Sequence, residues 1–308
     1  MDTLSRLLSL FTIHTALHTR CELAAPWVLD EPSSTPGIAP FHVIVEGGAR
    51  VDMPGRAPIV LAAGDIVVFP GGSAHRLHAG PAHDAQPVRT LAAPGPLQRK
   101  GNAGAGPATA ILCGTLVFDA AARRLLLGAL PAVMVVHAGH ARDFSALHAL
   151  VGMLQHETAH DRPGTDAVVA QLSGALFALL LRAWLAGSDT TPGLLAVLAD
   201  RRLGTALQRM LEAPHQPWTV ASLAAACFMS RATFARQFAQ ASGMTPAGVL
   251  TRLRLAQAAG ALLRGARPVG EVALEAGYQS EAAFHRVFKR HYGIGPGAYR
   301  RGQEPAPA

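Results

Sequence analysis

Apolar residues recur at helical spacing near the end of the chain and predict two similar pairs of helices. In the first pair, Val220, Leu223 and Cys227 fall on one side of a helix that Thr219 can cap. The second helix of each pair opens at a serine and carries two phenylalanines four residues apart. These residues are Ser230, Phe234 and Phe238 in the first pair and Ser280, Phe284 and Phe288 in the second. This internal repeat indicates two equivalent helix-turn-helix modules.

A long helix is predicted between the two modules, because residues 246–263 contain no strong helix breaker before Gly265. At 1.5 Å per residue this helix spans about 27 Å, and one turn of B-DNA advances about 34 Å. A connector of that length can hold two recognition helices in successive major grooves on one face of a duplex. The layout therefore predicts a DNA-binding region.

The pattern is different before residue 118, where short alternating or β-branched runs lie between clusters of Gly and Pro. The clearest runs are residues 41–46, 59–61, 66–70 and 109–118, and a further run follows at 133–137. Such short strands at close intervals predict an all-β sandwich or barrel. Residues 80–106, rich in Gly, Pro and Ala, predict a mobile loop or linker.

Further helices are predicted on either side of these strands. They cover residues 2–11, 144–160, 165–185 and 194–211. The run 167–185 reaches membrane-spanning length but contains Gln171 and Arg182, so we interpret it as a buried or dimer-forming helix. No association with a membrane is expected.

The basic residues are concentrated in the predicted DNA-binding region. Residues 201–308 hold 14 of the 27 Lys and Arg residues but only 5 of the 20 acidic ones. Codon usage can explain Arg in place of Lys, but not a surplus confined to one third of the chain. A basic domain attracts phosphates and binds DNA in a salt-dependent way.

Three cysteines give no disulfide framework and the first residues lack a secretory signal, so a cytoplasmic protein is predicted.

The second helix-turn-helix module carries a dense motif. It reads Ala273-x2-Ala276-Gly277-Tyr278-x-Ser280-x3-Phe284-x-Arg286-x-Phe288-Lys289-x3-Gly293-x2-Pro296-x2-Tyr299-Arg300. With this motif, residues 203–301 resemble the DNA-binding domain of the AraC/XylS family of bacterial transcription regulators. Members of that family often act as dimers.

The resemblance implies which positions face the DNA bases. They are Arg231, Ala232, Ala235 and Arg236 in the first recognition helix and Gln279, Glu281, Ala282, His285 and Arg286 in the second. Arg231 and Arg236 suit guanine, and Glu281 suits cytosine or the orientation of an arginine. Lys289 and Arg290 are expected to contact phosphate. The alternative is that half of these side chains touch only phosphate, which fixes register without reading sequence.

The β-rich region carries two further motifs. Gly64-x5-Pro70-x-Gly72-x2-His75 matches the second cupin motif up to its final Asn, where this chain has Ala79. Phe41-His42-x3-Glu46-Gly47 is a reduced form of the first motif, with one His where metal-bearing cupins usually have two. The region therefore resembles a cupin barrel, and similar domains open one branch of the AraC/XylS family.

A divalent metal in this barrel would be held by His42, Glu46 and His75. Cys113 or Cys21 could complete a tetrahedral zinc site. The alternative is a metal-free pocket for a small-molecule effector, and the missing histidine favours it. No cofactor is therefore required for the predicted function.

A second zinc pattern, His-Glu-x-x-His, occurs at residues 156–160. In zinc proteases two such histidines bind the metal and the glutamate activates water. Here the predicted helix ends at once in Asp161-Arg162-Pro163, and the next glutamate is Glu212. We interpret the pattern as a solvated helix face.

The sequence thus predicts an α+β multidomain protein. Residues 1–187 form a cupin-like β-barrel with following helices, which senses the effector and dimerises. Residues 188–196 form a linker, residues 197–301 an all-α double helix-turn-helix domain, and residues 302–308 a disordered tail. The predicted function is sequence-specific transcriptional regulation at promoter DNA, controlled by a small-molecule effector, with RNA polymerase as a partner if the protein is an activator.

Two other classes of protein are compatible with the sequence. One is a cupin metalloenzyme, an oxygenase or isomerase, with an appended DNA-binding domain. The other is a structural DNA-packing protein, which would show little sequence preference. We expect neither, and no enzymatic activity.

Overall fold

The computed structural model describes residues 2–92, 97–127, 130–137, 144–158, 162–187, 193–265 and 267–302. The chain divides into two compact units. The barrel unit contains Ile13–Phe118 and Leu130–Asp189, and the helical unit contains Met1–Thr12, Asp119–Ala129 and Thr190–Ala308. The predicted domains were consecutive, whereas the observed helical unit includes two short segments from the first half of the chain. Most of the predicted linker, residues 188–192, and nearly all of the predicted tail lie outside the described residues.

The barrel unit contains two sheets. Its strands are β1 (Ile13–Ala24), β2 (Trp27–Glu31), β3 (Ile38–Glu46), β4 (Gly48–Asp52), β5 (Ile59–Ala62), β6 (Ile66–Val68), β7 (His75–Ala79), β8 (Arg89–Leu91), β9 (Gln98–Gly101), β10 (Ala108–Phe118) and β11 (Met134–Val136). A seven-stranded sheet has the order β11-β6-β3-β10-β1-β9-β8, and a four-stranded sheet has the order β2-β7-β4-β5. The predicted β-rich architecture is confirmed.

Alternation of apolar and polar positions along these strands produces one apolar core between the sheets. Trp27, Phe69 and Leu77 are fully buried in it. The segment 80–106 differs from its prediction, since β8 and β9 lie within it and β9 pairs with β1 in parallel. Gly and Pro are poor strand formers, so local composition did not reveal a pairing that depends on a distant strand.

Two helices follow the strands, α3 (Phe144–Thr158) and α4 (Thr165–Gly187). Helix α4 packs on the large sheet, where Phe177 contacts Phe118 with ring centroids 5.1 Å apart and the Ser173 hydroxyl accepts from the Thr15 backbone N–H at 2.9 Å. One described helix, Thr165–Ala186, is long and apolar enough to cross a membrane, and 33% of its most apolar stretch is buried. The core helix of a globular unit passes the same test of length and composition.

The helical unit contains ten helices among its described residues. They are α1 (Thr3–Leu8), α2 (Ala120–Leu125), α5 (Leu194–Ala199), α6 (Leu203–Glu212), α7 (Val220–Ala226), α8 (Arg231–Ser242), α9 (Pro246–Arg264), α10 (Val269–Glu275), α11 (Glu281–Tyr292) and α12 (Pro296–Arg300). The single helix predicted over 194–211 is split into α5 and α6. Asp200 has an extended backbone there, and its carboxylate accepts from the N–H groups of Arg202 and Leu203, both at 2.8 Å. An Asp at a helix start is a strong cap, which explains the break.

The repeated phenylalanines form the cores of the two modules, as predicted. Phe234, Phe238, Phe284 and Phe288 are each fully buried. The connecting helix α9 has 19 residues, which corresponds to about 28 Å, and it begins after the Thr245 cap. Its inner face joins the core that contains Phe284 and Phe288.

The two segments from the first half of the chain pack on this helical framework. Helix α1 contacts α6, with Leu7 fully buried, and helix α2 contacts α9. The Arg124 guanidinium lies 5.9 Å above the ring of Tyr292 on α11, and the Arg252 guanidinium donates to the Arg124 carbonyl at 3.2 Å. The helical unit is therefore completed by helices that a local reading assigns to the other domain.

Candidate nucleic-acid interface and barrel site

The first recognition helix, α8, has an inner and an outer face. Ser230 caps it by accepting from the Thr233 N–H at 3.2 Å, and Phe234 and Phe238 point into the core. The predicted reading residues lie on the other side. Arg231, Ala232 and Arg236 are exposed and Ala235 is half-buried.

The second recognition helix, α11, is built in the same way. Ser280 accepts from the Ala283 N–H at 3.2 Å, and Phe284 and Phe288 point inward. Every residue assigned to DNA contact is exposed: Gln279, Glu281, Ala282, His285, Arg286, Lys289 and Arg290. The structure thus presents both sets on the surface, and their contacts with particular bases or phosphates stay a prediction.

The arginines of the helical unit fall into two groups. Arg231, Arg236 and Arg286 make no hydrogen bond or ion pair with other described residues. By contrast, Arg254 and Arg267 are engaged within the unit, Arg267 with the carboxylates of two glutamates. The first group therefore keeps its donors available for an external acceptor such as a guanine edge or a phosphate.

Arg254 joins the two modules. From α9 its Nε donates to the Pro214 carbonyl at 2.7 Å and its Nη2 to the Gln216 carbonyl at 2.8 Å, and its burial lowers its pKa. The turn of the second module closes over the same loop at Gly277, which has φ +80°. A Cβ there would lie 2.8 Å from the His215 Cα. The glycine of the family motif is thus required by both conformation and space.

A polar cluster lies inside the barrel unit and contains four of the predicted effector or metal residues. His42 and His75 are buried, with their Nε2 atoms 2.8 Å apart, and the His42 Nδ1 lies 3.1 Å from the Cys113 Sγ. Cys113 also contacts Cys21 on the neighbouring strand β1. The structure thus brings these four residues together, and their role as an effector or metal site stays a prediction.

The hydrogen-bond partners fix where the protons of this cluster reside. The His75 Nδ1 lies 2.8 Å from the Ser73 carbonyl, which can only accept, so Nδ1 carries the proton. Burial lowers the pKa of His75, so the ring is neutral and its Nε2 accepts from the His42 Nε2. The His42 Nδ1 is then an acceptor for the Cys113 thiol. The contact with Cys21 and burial raise the pKa of Cys113, consistent with a protonated thiol.

The cluster does not have the arrangement of a zinc site. Cys113 contacts the Nδ1 edge of His42 and His75 contacts the Nε2 edge, so the three side chains do not converge on one point. Glu46, the expected carboxylate ligand, is exposed. The β3–β10 register shifts beside it, between Ala110 and Ile111, and carries the strand end outward. No group of three metal-binding side chains occurs among the described residues.

The buried histidines predict a pH-dependent stability. Burial, followed by the proximity of His75, lowers the pKa of His42 to about 3, while an unfolded histidine titrates near 6.5. Between these values the unfolded chain takes up a proton that the folded chain does not. The free energy of unfolding should therefore fall by about 1.4 kcal/mol per pH unit for this group as the pH decreases below 6.5.

Urea unfolding followed by tryptophan fluorescence between pH 7 and 4.5 measures this slope. His42→Gln should reduce the slope, whatever its effect on absolute stability. His14→Gln, which removes an exposed histidine, is the matched control, and His42→Gln should change the slope by more than it does. Equal slopes for all three proteins would show that the buried cluster is not its source.

The protease-like pattern lies only partly within the described residues, because His160 falls outside them. Glu157 has a structural role. Its carboxylate accepts from the Arg162 guanidinium and from the Thr165 hydroxyl, both at 2.9 Å. This contact holds the end of α3 to the start of α4.

Comparison with known proteins identifies both regions. A cupin family model matches residues 2–186, and a helix-turn-helix domain model matches residues 223–302. The RCS-specific transcriptional activator RclR of Escherichia coli is 35% identical over 301 residues, covering 97% of each chain. An AraC-like transcription regulator of Streptomyces antibioticus is 31% identical, over 99% of this chain and all of that one. The chain belongs to the AraC family of transcriptional regulators.

A solved structure also matches the DNA-binding region of this AraC-family regulator. It is the DNA-binding domain of AdpA in complex with a target DNA, 35% identical, covering 33% of this chain and 93% of that one with a TM-score of 0.32. The function predicted from the sequence, transcriptional regulation through DNA binding, is confirmed by the family. The names of the relatives fit the expectation that the protein is not an enzyme.

Three features of this AraC-family regulator were not found from its sequence. One is an open cleft of about 440 Å³ beside the buried His75, lined by Asp30, Glu31, Pro32, Asp52, Met53, Pro54, Ala74 and Arg76. The others are Asp119, whose carboxylate accepts from the Thr12 and Ala122 N–H groups, and the exposed Phe228. The cleft depends on long-range pairing of β2, β4 and β7. Phe228 gave no local signal, because the fifty-residue repeat of serine and phenylalanine pairs it with Tyr278, and its positive φ is seen only in the structure.

Proposed function

We propose that a small-molecule effector binds in the cleft beside His75 and sets the regulatory activity of the protein. Clefts of this size bind small ligands, and this one combines apolar residues such as Met53 with a few charged groups. His75 connects the cleft to His42 and Cys113. A ligand that contacts His75 therefore acts on side chains of the central strands β3 and β10.

One observation carries the proposal: the strands of the cluster lead directly into helices of the DNA-binding unit. Strands β1 and β10 hold Cys21 and Cys113, and at their far ends Ile13 pairs with Phe118. The next residues are bonded too, since the Thr12 N–H donates to the Asp119 carboxylate at 2.6 Å and the Asp119 N–H to the Thr12 carbonyl at 3.2 Å. The chain then continues into α1 on one side and α2 on the other.

Asp119 has a second role in this link, because its other carboxylate oxygen caps α2 by accepting from the Ala122 N–H at 2.7 Å. A shift of β1 against β10 would therefore move the ends of α1 and α2, which pack on α6 and α9. A ligand can shift such an equilibrium only by binding one state better. In this proposal the two states differ in the position of β1 against β10 at the Thr12–Asp119 hydrogen bonds.

Two variants test the proposal in a reporter strain that carries the promoter bound by the parent protein. Ala74→Phe fills the cleft, and Asp119→Ala breaks the link while leaving the cleft open. We expect both to abolish the change in reporter output that the parent shows between growth conditions, with purified protein still binding promoter DNA. The control is Arg56→Ala, an exposed change outside the cleft. A parent-like response of Ala74→Phe would place the effector elsewhere.

The proposed function also includes two protein partners, a second copy of the chain and RNA polymerase. The outer face of α4, which includes the exposed Val168, is the proposed surface for a homodimer, and sedimentation equilibrium should then give twice the chain mass of 32.1 kDa. A cytoplasmic location and contact with RNA polymerase, if the protein activates, complete the proposed function. Mapping of bound sites across the genome would identify the regulated genes.

A further inference from the structure

Phe228 lies in the turn between α7 and α8 and combines two unusual properties. It is the one residue other than glycine with a positive φ, +54°, in the described part of the chain. Its side chain is also 96% exposed, the highest value for a large apolar side chain in the described part of the chain. A bulky residue in the left-handed region is a genuine outlier, whereas a single exposed apolar residue is common. The combination needs an explanation.

The second module provides an internal comparison. Counted from the last buried residue before the turn, Cys227 in the first module and Ala276 in the second, its turn has Gly277 at the equivalent place, also with a positive φ of +80°. Glycine adopts this conformation without strain. The first module therefore has a strained phenylalanine at the turn position where the second module has glycine. Packing does not account for it, because the ring contacts solvent and not the core.

The position of Phe228 indicates what the ring can contact. It precedes by two residues Ser230, the cap of the recognition helix α8, and the exposed Arg231 follows. In helix-turn-helix proteins the first residues of the recognition helix enter the major groove. The turn that leads into that helix therefore lies at the edge of the groove, where deoxyribose rings and thymine methyl groups form the apolar surface of DNA.

We propose that Phe228 packs against this apolar DNA surface and contributes to the affinity of the first module for its site. The inference rests on the DNA-binding function of the unit. Phenylalanine is a known partner of the thymine methyl group in direct readout. Backbone strain that persists at a surface position is typical of a functional contact. The module thus reads DNA with Arg231 and Arg236 on the helix and with an apolar ring before it.

The test separates DNA affinity from stability. Phe228→Asn removes the ring and suits the left-handed backbone, and Phe228→Tyr keeps the ring. For Phe228→Asn we expect a Tm equal to or above that of the parent and an affinity for the bound promoter fragment about tenfold lower, as for the loss of one buried apolar contact. Phe228→Tyr should bind within about threefold of the parent. Leu263→Gln, which removes another exposed apolar residue, is the matched control.

Fluorescence anisotropy at two salt concentrations gives a further readout. Loss of an apolar contact should lower the affinity by the same factor at both, because no phosphate contact is removed. A duplex with deoxyuridine in place of thymine at the edge of the site distinguishes a methyl contact, which loses affinity, from a deoxyribose contact, which does not.

Failure of the parent to prefer its promoter fragment over random DNA would contradict the DNA-binding function itself. Parent-like binding by a stable Phe228→Asn protein would overturn only the inference about Phe228. Reduced reporter output with unchanged DNA affinity would also overturn it, since the ring would then contact a protein such as the polymerase.

Discussion

Replacing Phe288 with alanine should destabilise the helical unit by about 3–5 kcal/mol, the usual cost of removing a fully buried phenyl ring. Phe288 has no exposed surface, and its ring lies 4.6 Å from the ring centroid of Tyr292, 5.2 Å from Phe284 and 5.3 Å from Tyr299. These neighbours come from α11 and α12 and cannot close the cavity without moving the recognition helix. Urea unfolding followed by circular dichroism measures the change.

Leu274→Ala is the control for this prediction. Leu274 lies in the same module, but its side chain is 63% exposed, so its removal should change the free energy of unfolding by less than about 0.5 kcal/mol. Phe288→Leu, which keeps most of the volume, should fall between the two. A loss as small for Phe288→Ala as for Leu274→Ala would mean that the second module is not packed as described.

Replacing Arg236 with alanine should weaken binding to the specific promoter site by about 10–100-fold, the range expected for one bidentate contact with guanine. Arg236 is exposed on the outer face of α8 and makes no hydrogen bond or ion pair with other described residues. Its side chain therefore loses no protein contact on substitution, and the folded structure should be unaffected. Competition gel shifts with specific and random DNA measure the effect.

The control for charge is Arg267→Ala, because the Arg267 guanidinium is engaged by Glu271 and Glu275. It should change specific affinity by less than about threefold, since the charge is already balanced within the unit. If Arg236 contacts only phosphate, the loss of affinity will be the same for specific and random DNA. The slope of log affinity against log salt concentration will then decrease by about one. That result would remove Arg236 from the set of reading residues.

The DNA-binding region could be predicted in detail because its signals are local. Caps such as Ser230 and Ser280, and phenylalanines four residues apart, fix both recognition helices within a few neighbouring residues of sequence. The exposed arginines follow from the same periodicity, since a residue opposite the buried face must point to solvent. Their partners on DNA do not follow, because base recognition depends on the docked geometry.

The barrel could be predicted only in outline. His42, His75, Cys113 and Cys21 lie close together in the structure, because alternate positions of paired strands face the same side. Glu46 lies four residues after His42, so its side chain was expected on the same face of β3. A one-residue register shift between β3 and β10 takes it away from the cluster. Such shifts, like the packing of α1 on α6, depend on contacts between residues far apart in sequence, and a local pattern does not encode them.

The discontinuous composition of the helical unit has a consequence for synthesis on the ribosome. Helix α1 is made first, and its partner α6 begins at Leu203, about 200 residues later. At roughly 5–20 residues per second, α1 waits on the order of 10–40 s for that partner, while the barrel has time to fold. The helical unit is therefore completed only after the barrel sequence has been synthesised, and we expect no promoter binding by a nascent chain that still lacks α6.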